Sequence, residues 1–85
     1  MGKKELFIKQ LKSLLADVIE LPEVQITDDE NYIQSLAITS LGFVKIIVEL
    51  EERFKVSVNP QEMSFEKFNT LNKIYRYIEG YNGDV

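Results

Sequence analysis

Residues 36–54 read LAITSLGFVKIIVELEERF, and the apolar residues in this stretch recur every three or four positions. One helical face would collect Phe43, Ile46, Ile47, Leu50 and Phe54. The many β-branched residues also suggest a strand, but residues 44–52 do not alternate between apolar and polar, and the stretch is long for a strand. We therefore predict a helix over about 40–55, with this stripe turned inward.

An earlier helix is predicted over about 4–20, because its apolar residues follow the same spacing. They are Phe7, Leu11, Leu14, Leu15 and Val18. Pro22 ends this helix, since proline lacks the backbone donor and restricts Leu21 before it.

Residues 21–38 form an unusually long connection, and connections of this length tend to be functional. Thr27, Asp28, Asp29 and Asn31 are turn-forming residues. The apolar residues that follow predict that the connection packs across the helices, with room for one short helical turn. They are Tyr32, Ile33, Leu36 and Ile38. A calcium loop at Asp28, Asp29 and Glu30 is disfavoured because the alternating ligand spacing and the glycine are missing.

Asn59-Pro60 breaks the chain after the central helix. A short helix is expected over about 61–68, and a last helix, capped by Thr70, over about 70–79. Gly80 suits the C-cap, and residues 81–85 are expected to fray. The prediction is a single domain over residues 1–85: an all-α four-helix bundle, with three long helices, one short one and a long loop between helices 1 and 2.

Composition excludes several kinds of chemistry. The 85 residues include no cysteine and no histidine, so disulfides, a Ser-His-Asp relay and the usual zinc ligands are ruled out. We expect no metal site and no catalytic residue. The net charge of −4 argues against nucleic-acid binding. No apolar run is long enough to span a bilayer and no signal peptide is recognisable, so a cytoplasmic monomer without membrane contact is expected.

Ser40 stands where the long connection meets a helix N-terminus. Thr39 and Ser40 could simply be an N-cap pair. However, Leu36, the pair Ser40-Leu41 and the ending Leu50-Glu51-Glu52-Arg53-Phe54 resemble the attachment site of acyl carrier and peptidyl carrier proteins. The resemblance extends over the whole chain, including the order of the helices.

The resemblance implies a non-catalytic carrier. A phosphopantetheinyl transferase would move 4′-phosphopantetheine from coenzyme A to Ser40. The arm would then hold acyl or aminoacyl thioesters for loading and condensing enzymes. Two positions depart from the family pattern, because Ala37 replaces the usual Gly and Thr39 replaces the usual Asp. Thr39 can still cap the helix, but it lacks the charge that favours a helix N-terminus.

A partner surface is predicted beside Ser40. It consists of Thr39, Leu41, Val44, Lys45 and Val48. The valines and leucine could instead belong to the core, and Lys45 could simply pair with Glu49. Because the family's fatty-acid members usually carry an acidic residue at the position of Lys45, a specialised pathway, peptide synthetase-like or polyketide-like, is favoured.

The sequence also leaves other functions to compare with this one. An unmodified helical adaptor of the same fold is the main alternative from another class. A D-alanyl carrier or a fatty-acid synthase carrier is the alternative within carriers. A hydrolase using Ser40 is disfavoured, because the chain has no histidine to act as its base.

Overall fold

The computed structural model describes residues 2–83, and of residues 81–83 only the backbone. Over this range the chain forms five α-helices, one 3-10 turn and no strand. The helices are α1 (Lys3–Ile19), α2 (Tyr32–Ser35), α3 (Ser40–Phe54), α4 (Phe65–Phe68) and α5 (Leu71–Gly83), and the 3-10 turn is Pro60–Glu62. The predicted all-helical class is confirmed. Among these helices, none is both long and apolar enough to cross a membrane.

The long helices α1 and α3 pack side by side and run in opposite directions. Phe7 near the start of α1 lies 4.6 Å, between ring centroids, from Phe54 at the end of α3. Val18 near the end of α1 lines the same shallow depression as Val44 near the start of α3. Because of this arrangement, the end of α1 lies beside the N-terminal half of α3.

The predicted inward stripe of α3 faces the core. Phe43, Ile46, Ile47 and Leu50 are buried, and Phe54 is half-buried. Full burial of a side chain of this size stabilises the fold by about 1.5–3 kcal/mol. α3 is therefore held in place by its apolar face, while its other face stays in solvent.

The long connection is tied to the start of α5. The backbone N–H of Asn72 donates to the carbonyl of Asp28 at 3.0 Å, and its side-chain amide donates to a carboxylate oxygen of Asp29 at 2.6 Å. The N–H of Tyr32 donates to the carbonyl of Asn69 at 3.0 Å. Tyr32 is fully buried, and burial raises the pKa of its phenol. These contacts fix the segment that leads into α3.

Two expectations about the C-terminal part need correction. The segment expected as one short helix over 61–68 is divided, because Asn59 caps a 3-10 turn that ends at Glu62 and α4 starts only at Phe65. The last helix continues to Gly83 instead of ending near Glu79. Gly80 does not adopt the positive φ of an αL cap, so it does not stop the helix. Of the residues expected to fray, 84 and 85 lie outside the described range.

Candidate attachment site

A tight corner joins α2 to α3. Ala37 follows α2 with a left-handed φ of 52°. Its N–H donates to the carbonyl of Gln34 at 3.2 Å, and the N–H of Ile38 donates to the carbonyl of Ile33 at 2.9 Å. This pair of bonds, with Ile33 and Ile38 both buried, forms a Schellman cap. The left-handed residue turns the chain so that α3 can begin only three residues later.

Glycine adopts positive φ without a steric cost, whereas alanine has a Cβ that disfavours it. The carrier families that the sequence resembles usually have glycine at the position of Ala37. The observed φ of 52° gives a physical reason for that preference. This chain keeps the corner with a less suitable residue, so some backbone strain is stored directly before the site.

Thr39 caps α3. Its Oγ1 accepts a hydrogen bond from the N–H of Gly42 at 3.1 Å, and its carbonyl accepts one from the N–H of Phe43 at 2.8 Å. The cap shows that a threonine can replace the usual aspartate as the helix start. It brings no negative charge to the positive end of the helix dipole.

Ser40 is the first residue of α3 and is exposed. The helix does not need the N–H groups of its first residues for its own hydrogen bonds, and such groups favour anions. A phosphodiester on the Ser40 hydroxyl would therefore lie beside favourable donors. The chain contains no cysteine, so the thiol for a thioester must come from the attached group. In both respects the residues present fit 4′-phosphopantetheine.

The other residues predicted for the partner surface lie together next to Ser40. Leu41 is 67% exposed, and Val44 and Val48 are 41% and 46% exposed. They follow one another on the outward side of α3, and Thr39 and Lys45 are exposed as well. Three large apolar side chains thus remain in solvent on the helix that begins at Ser40, a pattern that indicates an interaction surface.

The alternative pairing of Lys45 with Glu49 is absent from the ion pairs of residues 2–83. Glu49 instead accepts from Arg53 at 3.0 Å, and Arg53 also contacts Asp17 of α1 at 2.8 Å. Hydrogen bonding to Asp17, followed by that to Glu49, raises the pKa of the Arg53 guanidinium. The positive charge of Arg53 is thus locally balanced, whereas Lys45 presents its charge beside the exposed valines.

Phe65 is a further exposed aromatic residue at this end of the bundle. It lies on α4, is 42% exposed, and its ring packs edge-on against Phe43 with centroids 4.9 Å apart. It was not among the residues predicted for the site. A helix of four residues has no periodicity to analyse, so the only available signal was an aromatic residue shortly after the Asn59-Pro60 break.

The acidic turn at residues 28–30 has a structural role. Asp28 and Asp29 accept hydrogen bonds from Asn72, as described above. The carboxylate of Glu30 accepts from the Ser35 hydroxyl and from the N–H of Thr27, and these bonds lower its pKa. Within residues 2–83, no group of three or more acidic residues is placed to hold a metal ion.

Comparison with known proteins agrees with this geometry. The family described as "Phosphopantetheine attachment site" matches residues 9–78. An acyl carrier protein of Lactobacillus acidophilus is 31% identical over 83 residues, covering 98% of this chain and 100% of that protein. A polyketide-8 synthase acyl carrier protein 2 of Streptomyces avermitilis is 30% identical, covering 91% of this chain and 86% of its own length. A D-alanyl carrier protein of Streptococcus suis is 36% identical, covering 87% of each. The chain therefore belongs to the phosphopantetheine attachment family, the non-catalytic carrier proteins that hold 4′-phosphopantetheine covalently after modification by a phosphopantetheinyl transferase.

Proposed function

We propose that Ser40 is the attachment residue and that the loaded arm carries thioester intermediates among separate enzymes. The observation that supports this most directly is an exposed hydroxyl on the first residue of α3, held there by the Thr39 cap. A rigid helix start limits the volume that the arm explores. Tethering then raises the effective concentration of the cargo at a docked active site.

Modification is a phosphoryl-group transfer in which the carrier supplies only the nucleophile. Ser40 Oγ attacks the phosphorus of coenzyme A that bears the pantetheine. A phosphodiester bond forms, the pyrophosphate bond breaks, and adenosine 3′,5′-bisphosphate leaves. The hydroxyl proton passes to a base of the transferase, because the chain has no histidine. The free thiol at the end of the arm is then acylated by a loading enzyme.

Thr39, Leu41, Val44, Lys45 and Val48 form the proposed docking surface. Exposed apolar side chains supply contact area, and charge placement governs which partners are accepted. The helix carries a cation at Lys45 and no acidic side chain before Glu49. This favours partners that present an acidic group there, and hence a specialised pathway, peptide synthetase-like or polyketide-like. A D-alanyl carrier and a fatty-acid synthase carrier are the alternatives within the family.

Intact mass spectrometry tests the attachment. The chain is incubated with coenzyme A, magnesium and a transferase of broad specificity. We expect one phosphopantetheine per chain for the wild type and none for Ser40→Ala. Ser35→Ala is the matched control, because it removes a neighbouring exposed hydroxyl and leaves Ser40 in place. This variant should be modified as the wild type is.

An unchanged wild-type mass with several transferases that modify a control carrier would contradict the proposal. The chain would then be an adaptor that keeps the fold without the arm. If Ser40→Ala were still modified, the attachment residue would be another hydroxyl of the chain. The expected cytoplasmic localisation and monomeric state remain predictions.

A further inference from the structure

A groove runs along the seam between α1 and α3 and starts one helical turn from Ser40. Its first part is a depression of about 290 Å³ with an apolar lining of Val18, Val44 and Val48, and the rest of the lining is charged. Val44 and Val48 follow Ser40 on α3 by one and two turns and are 41% and 46% exposed. An apolar hollow is therefore directly accessible from the attachment point.

The groove continues from this valine depression toward the far end of the bundle. Arg53 lines both the valine depression and a second, polar depression that includes Gln10 and Ser13 of α1. Gln10 and Phe54 in turn line both the polar depression and a third one at the end of the bundle. Because the three share lining residues, they form one path, the α1–α3 groove. The ion pair of Arg53 with Asp17 crosses it, but the side chains are 37% and 61% exposed, so an occupant can lie over the pair without breaking a buried contact.

The far end of the groove is rich in aromatic side chains. It has a volume of about 220 Å³, and its lining includes Leu6, Phe7, Phe54, Tyr75 and Ile78. The ring centroid of Phe7 lies 4.6 Å from that of Phe54 and 5.3 Å from that of Tyr75. Leu6 is 50% exposed. An apolar group that reached this aromatic end would remove these side chains from water.

The length of the groove matches an extended arm with an acyl chain at its end. Ser40 begins α3 and Phe54 ends it, so the two lie about 21 Å apart at 1.5 Å per residue. About fourteen covalent bonds join the Ser40 Oγ to the sulfur of phosphopantetheine, and an extended chain that covers about 3.3–3.6 Å in three bonds spans about 16 Å over that number. About 5 Å then remain to the level of Phe54, which about four acyl carbons would cover.

From this path we infer that the α1–α3 groove receives the loaded arm of Ser40, and that the cargo is an apolar acyl group of about four to eight carbons whose end lies against Leu6 and Phe54. The hydroxyl and amide groups of the arm then meet the polar part of the groove at Gln10 and Ser13. The acyl chain buries apolar area at the aromatic end. The inference rests on the proposed attachment at Ser40 and deepens it by naming the class of cargo.

The experiment compares two loaded forms of the same protein. A transferase of broad specificity is supplied with octanoyl-coenzyme A or acetyl-coenzyme A, so that Ser40 receives a long or a short acyl arm, and intact mass checks the loading. Thermal unfolding and amide NMR spectra of the two forms are then recorded. We expect the octanoyl form to have a Tm higher by at least about 4 °C, the shift that one or two buried methylene groups give a domain of this size.

The amide signals report where the acyl chain lies. Those of Leu6, Phe7 and Ile78 should differ between the octanoyl and acetyl forms. Equal Tm values with unchanged signals at these residues would overturn the inference and leave attachment intact. Shifts confined to Phe43 and Phe68 would also overturn it, because the chain would then have entered between α3 and α4. Failure of the mass change itself would instead remove the proposed function.

Leu6→Asp places a charge at the aromatic end and leaves the core intact, because Leu6 is half-exposed. In this variant the Tm gain of the octanoyl form over the acetyl form should fall below about 2 °C. Leu21→Asp is the matched control, because Leu21 is 47% exposed and lines none of the three depressions. It should keep the gain of the wild type. An unchanged gain in Leu6→Asp would mean that the acyl chain lies elsewhere and would overturn the inference.

Discussion

The side-chain oxygen of Thr39 accepts a hydrogen bond from the backbone N–H of Gly42 at 3.1 Å, and this bond caps the helix that begins at Ser40. Replacing a threonine cap by alanine generally costs about 0.5–2 kcal/mol. We expect Thr39→Ala to lower the free energy of unfolding by about 1 kcal/mol in urea denaturation.

Thr39→Asp should behave differently, because aspartate also caps and adds a charge that favours the helix N-terminus. We expect the free energy of unfolding to rise by about 0.3–1 kcal/mol at low salt. The rate of modification by a transferase should also rise, since the family usually has aspartate at this position. If Thr39→Asp were modified more slowly than the wild type, threonine would be the adapted residue for this chain's partners.

Ala37 stores strain in the corner before the site. Its φ of 52° is a conformation that costs an L-residue about 1–2 kcal/mol, and glycine avoids most of this cost. Glycine also loses more entropy on folding, by about 0.5–1 kcal/mol. We therefore expect Ala37→Gly to stabilise the protein by about 0.5–1 kcal/mol in chemical denaturation.

Ala16→Gly is the matched control. Ala16 is buried in the last turn of α1 and does not have a positive φ, so glycine there should cost about 1 kcal/mol. If glycine raises the free energy of unfolding at Ala37 and lowers it at Ala16, the effect at Ala37 is due to its positive φ. Destabilisation by Ala37→Gly would show that the corner depends on the methyl group instead.

The parts of the fold that periodicity describes could be predicted, and those that depend on distant or very local contacts could not. Fifteen residues of α3 repeat the helical spacing four times, so the buried positions of Phe43 and Leu50 follow from the pattern. The bond from Asn72 to Asp29 joins residues 43 apart, and nothing near either residue signals it. The left-handed conformation of Ala37 could not be predicted, because alanine does not indicate a positive φ.

The residues of the candidate site also differ in whether the sequence could predict them. Ser40 and the exposed face of α3 could be found because a motif and a helical period locate them. Phe65 could not, because its importance arises from a ring contact with Phe43 across two elements. The partner of Glu49 could not be chosen from the sequence either, because the helix offers it two neighbours of opposite charge, Lys45 and Arg53. In the structure Arg53 contacts both Glu49 and Asp17 of α1.

Lys45→Glu should alter partner choice without altering stability. Lys45 is exposed and is outside the ion pairs of residues 2–83, so its replacement should change the free energy of unfolding by less than about 0.5 kcal/mol. The measurement is the ratio of kcat/KM values for modification by two transferases whose docking surfaces differ in charge. We expect this ratio to shift.

Lys9→Glu is the control for overall charge, because it makes the same change at an exposed lysine on α1. It should leave the ratio unchanged. Equal effects of the two substitutions would mean that net charge, and not the position of Lys45, governs the choice. A large fall in Tm for Lys45→Glu would mean that Lys45 is structural.

The contact of Arg53 with Asp17 joins α1 to α3 but should contribute little stability. The two side chains are 37% and 61% exposed, and exposed pairs typically contribute about 0.2–1 kcal/mol. A double-mutant cycle with Asp17→Ala and Arg53→Ala should give a coupling energy in this range that falls further at 1 M salt. A coupling above about 2 kcal/mol would contradict the assignment as a surface pair.

Glu30 should make the long connection sensitive to acid. Its carboxylate accepts hydrogen bonds from the Ser35 hydroxyl and the Thr27 N–H, which lower its pKa in the folded state. A group whose pKa is lower when folded stabilises the fold above its unfolded pKa, and this contribution is lost as the pH falls through the folded pKa. The stabilisation should therefore be complete well above the ordinary carboxyl pKa of about 4.3, for example near pH 6, and should be lost as the pH falls through the lower folded pKa.

Ser35→Ala tests this linkage because it removes the bond with the largest effect on the pKa of Glu30. In a carboxyl NMR titration, the pKa of Glu30 should move up toward its ordinary value. Urea denaturation should show a stability loss near pH 6 that shrinks as the pH falls through the lowered pKa of wild-type Glu30, because its carboxylate then becomes protonated as well. Ser57→Ala, at an exposed serine in another loop, should show neither effect. A loss that keeps the same size as the pH is lowered until Glu30 is protonated would mean that Ser35 stabilises α2 independently of the Glu30 charge.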